Sequence, residues 1–296
     1  MAGPPRFRRR LSKVAPYLLL APGILWLVYF FIWPSIQMFL MSISSGNLDS
    51  GFQVTGSTQA YADALGKFQV QFGNSLLYGG IATILDFAIG FPVAYTVAFR
   101  GGRYKNLLLF LVIAPFFTSF LIRTISWKIL LGDEGPILGF LKNTLHLLPT
   151  DFTAIGTPIS VIAGLTYNFL PFMILPLYAA LERIDPRMLE AAYDLYAKRR
   201  HVITRVVVPM SMPGIVAGVL LTFIPAAGDF VNATLLGTPQ QSMIGNVIQS
   251  RYLVVTDYPT AAALSFILMI VILVLVGIYA RAVGTETLTG AEEAPA

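Results

Sequence analysis

Cysteine is absent from this chain of 296 residues, and histidine occurs only twice, as His146 and His201. Without thiol groups the chain can form neither a disulfide framework nor a thiolate metal site. Two histidines far apart in sequence also argue against a zinc site or a histidine-dependent catalytic centre. The sequence therefore predicts no metal and no cofactor bound by this chain.

Charged residues are scarce as well, at 12% of the chain, whereas 56% of the residues are hydrophobic. The mean hydropathy is +0.71. A soluble domain cannot bury this much apolar surface inside itself. The composition therefore predicts an integral membrane protein.

The common nucleotide-binding and hydrolase motifs are missing too. The sequence contains no phosphate-binding loop of the form G-x-x-x-x-G-K-[ST], no G-x-S-x-G nucleophile turn and no H-E-x-x-H metal motif. Any ATP hydrolysis on which this protein depends must then occur on another chain. We do not expect the chain to be an enzyme.

Six segments are long and apolar enough to cross a hydrocarbon core of about 30 Å, which takes about 20 helical residues. They are 15–41, 72–99, 106–125, 157–181, 213–236 and 259–280. The first follows the basic stretch RFRRRLSK, but it is longer than the apolar region of a signal peptide and no small-residue cleavage site follows it. We therefore expect six transmembrane helices, the first of them retained.

The basic residues predict the orientation of these spans. With the N-terminus inside, fifteen of the twenty Lys and Arg residues fall on inner segments, as cytoplasmic loops require. Both termini are then cytoplasmic, and the net charge of +5 needs no nucleic-acid partner. The outer segments 42–71, 132–156 and 237–258 are expected to be surface connectors with a short helix in each.

The inner loop 182–212 holds the most polar stretch of the chain. Asp185 suits an N-cap, Pro186 suits the first helical position and Glu190 suits the early turns of a helix. The apolar face of that helix is predicted to comprise Met188, Ala191, Ala192 and Leu195. A second amphipathic piece, 198–208, is expected to stop at Pro209. Such a helix–turn–helix either lies on anionic lipid or docks a cytoplasmic partner.

The segment EAAYDLYAKRRHVITRVVVP, residues 190–209, resembles the signature of permease subunits of binding-protein-dependent ABC importers. In that family E-A-A is followed by three residues, glycine, nine residues and I-x-L-P. Tyr196 stands at the glycine position, where a bulky side chain is disfavoured if the backbone needs a positive φ. The resemblance implies an all-α type I ABC importer permease (MetI-like) fold with a coupling loop that docks in an ATPase subunit. It places in this loop Glu190, Ala191, Ala192, Asp194, Tyr196 and Pro209.

Three further segments, 107–131, 170–195 and 244–265, are similar to the first permease subunit of spermidine/putrescine importers. This resemblance implies a bacterial inner-membrane complex of two related permeases, an ATPase dimer that binds ATP and Mg²⁺, and an external substrate-binding protein. The hydropathy and charge patterns divide the chain into a cytoplasmic segment 1–14, a six-span permease domain 15–282 and a cytoplasmic tail 283–296, whose small and acidic residues predict disorder. Thr234 departs from the relatives, which often carry an acid at this position.

Two stripes of small and polar residues run along the predicted spans. In the second span Gly79, Thr83, Asp86 and Gly90 fall on one helical face. The fifth span repeats the pattern with Gly214, Gly218, Thr222, Pro225, Asp229 and Asn232. For the glycines we favour helix packing. Ionisable residues at membrane depth normally face protein or a water-filled path. Candidate path residues are therefore Asp86, Asp229, Asn232 and Thr222.

A structural role for these carboxylates is the alternative, since Asp229 could pair with Arg123. We expect Arg123, beside Trp127, to extend its charge toward the outer interface. Aromatic residues near the path could flank a cation.

Two rival functions stay open. An ion-coupled secondary transporter would also use buried acids, but it has no need of the E-A-A loop. An ABC permease for another solute, such as a sugar, a phosphate ester or a metal chelate, would share the loop. An anionic solute would call for buried cations, whereas the mid-span charges here are negative. The prediction is therefore a polyamine-translocating permease that forms half of a heterodimeric pore.

Overall fold

The computed structural model describes residues 19–149 and 151–283, and most of these residues are helical. The helices and strands, in chain order, are α1 (Leu19–Ser42), β1 (Ser44–Asn47), β2 (Gly51–Val54), α2 (Gln59–Lys67), α3 (Gln69–Arg100), α4 (Gly102–Phe117), α5 (Phe120–Leu130), α6 (Pro136–Gly139), α7 (Pro158–Glu182), α8 (Pro186–Asp194), α9 (Arg199–Met210), α10 (Met212–Ala227), α11 (Val231–Leu236), α12 (Ile244–Leu253) and α13 (Tyr258–Val283). Residues 1–18 and 284–296 lie outside this description, and with them the predicted N-terminal segment and nearly all of the predicted tail.

Four helices, α1, α3, α7 and α13, are each long and apolar enough to cross a membrane. Two further candidate spans are bent pairs. The chain bends by 95° between α4 and α5, and by 69° between α9 and α10. With each pair counted as one span, the described residues contain up to six, in agreement with the expected number.

The third span is not the continuous helix expected over 106–125. The chain leaves the helix at Thr118 and Ser119, both of which have extended backbone. Pro115 lacks the N–H that an α-helix would need, and a 3₁₀ turn forms there instead. Both the N–H and the hydroxyl of Thr118 donate to the Pro115 carbonyl, which closes the turn. The chain then starts α5 in a new direction.

The fifth span is also broken, so the prediction of one helix over 213–236 is wrong. Helix α10 ends at Ala227, three residues follow, and α11 begins at Val231. Pro225 weakens the last turn of α10 because it has no N–H to donate. The Asp229 carboxylate accepts from the Asn232 N–H at 2.8 Å, which satisfies a free donor at the start of α11.

Helices α3, α7 and α10 form the centre of the bundle, and glycines let them approach closely. A Cβ at Gly79 of α3 would lie 3.0 Å from the Ala227 nitrogen at the end of α10. One at Gly90 would lie 3.2 Å from Cγ of Met173 in α7, and one at Gly218 would lie 2.7 Å from the sulfur of the same methionine. The glycines of both stripes are therefore packing residues.

The outer segments contain the helices expected of them, α2, α6 and α12, and one feature that was not expected. Segment 42–71 also forms an antiparallel hairpin, with Ser44 paired to Val54 and Asn47 to Gly51. The Asn47 side chain accepts from the N–H groups of Asp49 and Ser50, which stabilises the turn. Among residues 19–149 and 151–283, this two-stranded ribbon is the only β-structure.

Helix α1 packs against the rest of the chain only near its outer end. There the Phe39 ring lies 5.6 Å from the Phe266 ring of α13, and the Ser42 hydroxyl bonds that of Tyr61. From residue 19 to residue 36 no side chain of α1 is buried. Most of this apolar helix therefore lies against lipid or against another chain.

Candidate translocation path and coupling loop

The inner loop forms the predicted helix–turn–helix, made of α8 and α9. Asp185 is the N-cap of α8, and its carboxylate accepts from the Arg187 N–H at 2.9 Å. Leu189 is buried in a cluster that includes Val202 and Val207 of α9. The loop is therefore a structured element that packs into the apolar core formed with α3 and α7.

The apolar face predicted for α8 is divided between two sides. Ala192 packs inward beside Leu189, whereas Met188, Ala191 and Leu195 are exposed. Residues three apart share one face of a helix, as Leu189 and Ala192 do here. That face packs toward α9, and the other side of α8 points away from it. The exposed side is apolar at the tip, where Leu195 is 83% exposed and Tyr196 is 96% exposed.

Tyr196 keeps the backbone geometry that favours glycine. Its φ is +57°, in the left-handed region. The Tyr196 N–H donates to the Tyr193 carbonyl at 2.9 Å, and the Ala197 N–H donates to the Ala192 carbonyl at 3.2 Å. These two bonds end α8 as a Schellman motif, with tyrosine at the position where glycine is usual. A non-glycine residue there costs about 1 kcal/mol.

The charged residues of the loop face outward. Glu190 and Asp194 are exposed, and neither side chain makes a hydrogen bond or ion pair with the part of the chain that the structure describes. The expectation that the second helix stops at Pro209 is wrong, since α9 continues to Met210. A π turn, Ile203–Val207, precedes the proline and changes the bonding pattern there. The break comes at Ser211.

Asp86 lies at the centre of the bundle and is fully buried. Neither of its carboxylate oxygens has a hydrogen-bond partner among the described residues. The nearest hydroxyl along its own helical face, that of Thr83, donates instead to the Gly79 carbonyl. A buried carboxylate without partners is unfavourable, so this position is one where a cation would be stabilised.

Thr222 of α10 is fully buried as well, and its hydroxyl donates to the carbonyls of Gly218 and Val219 in its own helix. Helices α3 and α10 touch at Gly79 and Ala227, while Gly90 and Gly218 both contact Met173 of α7. Asp86 falls between those two levels, at about the depth of Thr222.

Asp229 and Asn232 form a second polar group, in the broken part of the fifth span. The prediction that they share one helical face with Pro225 is wrong, because α10 ends before them. The side-chain oxygen of Asn232, Oδ1, accepts from Asn168 Nδ2 at 3.1 Å and from the Thr124 hydroxyl at 3.5 Å. The structure thus joins Asp229 and Asn232, and it leaves Asp86 and Thr222 apart from them.

Asn168 and Thr124 were not predicted from the sequence. Both are buried, and Asn168 Nδ2 also donates to the Thr124 hydroxyl at 3.1 Å. An asparagine in the middle of the apolar run 157–181 is the signal that could have revealed this group, because an amide at membrane depth needs a partner.

Arg123 does not extend toward the interface as expected. It is 7% exposed, and its guanidinium lies over the rings of Phe116 at 5.1 Å and Phe120 at 5.7 Å. The described residues contain no ion pair between Arg123 and Asp229, and Nε and Nη1 of Arg123 have no partner. The described residues therefore do not contain the Asp229–Arg123 pair that is the alternative to a path role.

Helix α12 supports the break in the fifth span. A Cβ at Gly245 would lie 3.0 Å from the Asp229 carbonyl oxygen, so only glycine fits at this contact. The Asn246 amide donates to the Phe230 carbonyl at 2.9 Å and to the Thr234 hydroxyl at 2.7 Å. Thr234 thus has a structural bond. The described residues contain no group of three or more His, Cys, Asp or Glu side chains that could hold a metal.

Up to six candidate spans, two of them bent, and an exposed helix–turn–helix define a membrane permease. The chain belongs to the family described as binding-protein-dependent transport system inner membrane component, which matches residues 87–284. The family is a transport component of the inner membrane.

Two curated relatives match over most of the chain. The chain is 38% identical, over 258 residues, to the spermidine/putrescine transport system permease protein PotB of Haemophilus influenzae, with 87% of this chain and 90% of that protein covered. It is 37% identical, over 259 residues, to PotB of Escherichia coli, with 87% and 94% covered.

One solved structure with the same fold is a bacterial alginate ABC transporter in complex with a periplasmic protein bound to an alginate pentasaccharide. The TM-score is 0.73 at 19% sequence identity, and the match covers 97% of this chain and all of that one. At this identity the similarity establishes the fold alone.

Proposed function

We propose that the chain is the permease subunit of an ATP-driven importer that translocates polyamines of the spermidine and putrescine type. The observation that carries this proposal is the similarity to the spermidine/putrescine permease PotB over nearly the whole chain. Spermidine and putrescine are polycations at neutral pH. A path for them needs fixed negative or polar groups, because an uncompensated charge in the hydrocarbon core is prohibitive.

Asp86 is the residue that we place on this path. It is the described carboxylate that combines complete burial with two unpartnered oxygens. An ammonium group of the substrate supplies the missing partner as it passes through the bundle. Thr222, at the same depth, offers its hydroxyl oxygen as a further acceptor.

Asp229 and Asn232 contribute to the path at the break between α10 and α11. Asp229 is already engaged by the Asn232 N–H, so it serves the path through its remaining oxygen. The interrupted helix also leaves main-chain carbonyls without intrahelical partners, and such groups line cavities in membrane proteins. The two carboxylates act in succession, each holding the cation weakly enough for it to leave.

The coupling loop transmits the energy of ATP hydrolysis from a separate ATPase subunit, which binds ATP and Mg²⁺. Its docking surface is the exposed side of α8, with Glu190, Ala191, Asp194 and the apolar tip of Leu195 and Tyr196. Ala192 and Pro209 shape this surface rather than form its outermost part. An exposed apolar tip with unpaired acids beside it suits a partner with an apolar pocket and a basic rim.

The complete transporter contains a second related permease, an ATPase dimer and an external substrate-binding protein. The exposed length of α1 is one surface that the second permease covers. Both termini lie in the cytoplasm, as the distribution of basic residues requires.

The test is to purify the chain with its partner subunits, reconstitute the complex in lipid vesicles and measure ATP hydrolysis with candidate solutes and the external binding protein. Spermidine or putrescine should stimulate hydrolysis and accumulate in the vesicles. Stimulation by a sugar, a phosphate ester or a metal chelate, with none by polyamines, would overturn the substrate assignment and leave the permease role intact. Uptake that follows an ion gradient without ATP would contradict both.

A further inference from the structure

A cavity of about 270 Å³ lies beside the break in the third span. Arg123 lines it together with Ser126, Trp127 and Tyr167. These side chains offer hydrogen-bond donors, namely a guanidinium, the Tyr167 hydroxyl and an indole N–H, whereas the Ser126 hydroxyl already donates to the Ile122 carbonyl and offers its oxygen as an acceptor. None of the described residues that line the cavity carries a carboxylate. The cavity is therefore electropositive.

Arg123 is more than nine-tenths buried, yet Nε and Nη1 have no partner in the described part of the chain. The rings of Phe116 and Phe120 stabilise its charge by cation–π contact but accept no N–H bond in the plane of the guanidinium. Those two nitrogens are enclosed by protein atoms, so Nη2 is the guanidinium nitrogen left to face the cavity. A buried guanidinium charge is costly unless an anion lies beside it. A guanidinium is suited to a phosphate or carboxylate.

The position of the cavity points to the lipid. With the N-terminus inside, the 16 residues of α4 rise about 24 Å at 1.5 Å per residue, most of a hydrocarbon core of about 30 Å. Helix α5 then turns by 95° near the outer boundary. The Trp127 and Tyr167 rings, 5.3 Å apart, are of the type that marks this interface.

The surroundings of the cavity suit an amphipathic ligand. Ile122 lines the cavity and is exposed, as are Leu121, Ile125 and Ile129 on the same helix. An acyl chain can lie along these side chains while its headgroup enters the cavity.

We infer that the Arg123 cavity binds the phosphate headgroup of an anionic phospholipid of the outer leaflet. The phosphate accepts from Nη2 of Arg123, and the headgroup hydroxyls bond Tyr167 and Ser126. A zwitterionic headgroup is disfavoured because its ammonium group would find no carboxylate in the cavity and would face the guanidinium. The site is separate from the polyamine path, since a cation would be repelled there.

The experiment is to purify the complete transporter and count its retained phospholipids by native mass spectrometry. The wild type is compared with Arg123→Gln and with Lys128→Gln, a matched loss of charge at an exposed position of the same helix. We expect phosphatidylglycerol to be retained by the wild type and by Lys128→Gln, and to be lost from Arg123→Gln. Equal retention in Arg123→Gln would overturn the site, as would equal retention of phosphatidylethanolamine.

Two more variants keep the test decisive if Arg123→Gln fails to assemble. Arg123→Lys preserves the charge and should retain part of the lipid. Ser126→Leu leaves Arg123 in place but fills the cavity, so the lipid should again be lost. Retention of the lipid by Ser126→Leu would overturn the proposal. Displacement of the lipid by inorganic phosphate alone would assign the cavity to a free ion instead. An unchanged lipid count, with Arg123 cross-linked to a partner subunit, would assign the cavity to a carboxylate of that subunit.

Discussion

Replacing Asp86 by asparagine or leucine separates a transport role from a structural role. Asparagine preserves the size of the side chain but removes the charge. A hydrogen bond between charged groups contributes about 1.5–3 kcal/mol, and each 1.4 kcal/mol corresponds to roughly a factor of ten. If a substrate ammonium is the missing partner of Asp86, the Asp86→Asn complex should take up spermidine about tenfold to a hundredfold more slowly.

The stability of the protein should change in the opposite direction. An unpartnered buried polar group costs about 1–3 kcal/mol, and leucine removes that cost at a position that is fully buried. Asp86→Leu should therefore raise the Tm of the complex while it abolishes uptake. If the carboxylate only held helices together, Asp86→Leu would lower the Tm of the complex as well as uptake.

The assay is uptake of labelled spermidine into vesicles that contain the complete transporter at matched protein levels, together with thermal unfolding of the same preparations. Thr83→Val is the matched control. Thr83 lies on the same helical face, is buried, and bonds only the Gly79 carbonyl. It should leave uptake close to that of the wild type. Normal uptake by Asp86→Asn, or loss of assembly in both Asp86 variants, would refute the reasoning.

Three further predictions follow from the coupling loop and the broken span. Glu190→Ala should leave the permease inserted but lower co-purification of the ATPase and spermidine-stimulated hydrolysis, and unchanged values for both would contradict a docking role for this exposed carboxylate. Tyr196→Gly should stabilise the end of α8 by about 1 kcal/mol, because glycine adopts the left-handed backbone freely; a loss of ATPase coupling in the same variant would identify the tyrosine ring as a contact, whereas unchanged coupling would show that it is not one. Gly245→Ala should lower the yield of folded complex in detergent, since its Cβ would lie 3.0 Å from the Asp229 carbonyl oxygen; a yield equal to that of the wild type would mean that α12 can move away from the break.

The start of the coupling loop could be predicted from the sequence because its determinants are local. Asp185 and Pro186 favour a helix N-terminus wherever they occur, and the structure places them there. The sequence leaves open whether Tyr196 adopts a positive φ, because a bulky side chain disfavours that backbone conformation. The number of spans could be predicted for a similar reason, since hydropathy depends on composition rather than on contacts.

The breaks in the third and fifth spans could not be predicted in the same way. Their residues are as apolar as those of an unbroken helix, and Pro171 and Pro176 lie inside α7 without ending it. Whether a proline breaks a span depends on what satisfies the freed groups nearby. At Asp229 that depends on the side chain itself and on the contact with Gly245 of α12, a helix that packs back against the break.

The burial of Arg123 depends on tertiary structure in the same way. Its sequence position beside Trp127 suggested an interfacial charge. Phe120 lies one turn before it in α5, and the bend at Thr118 and Ser119 brings Phe116 of α4 over the guanidinium as well. The Asn168 group is a similar case, because its three members come from α5, α7 and α11. Residues that act together across helices leave no periodic signal in any one of them.

The exposed length of α1 bears on how cells must balance the synthesis of this protein. An apolar helix is stable in the bilayer by itself, so α1 can insert before any partner is present. If the second permease covers it, as proposed, a surplus copy of this chain would keep a helix without a binding surface. Membrane proteases and chaperones act on such unassembled helices. Unequal expression of the two permease genes should therefore shorten the lifetime of the subunit made in excess, and matched translation of both would be the main control on transporter number.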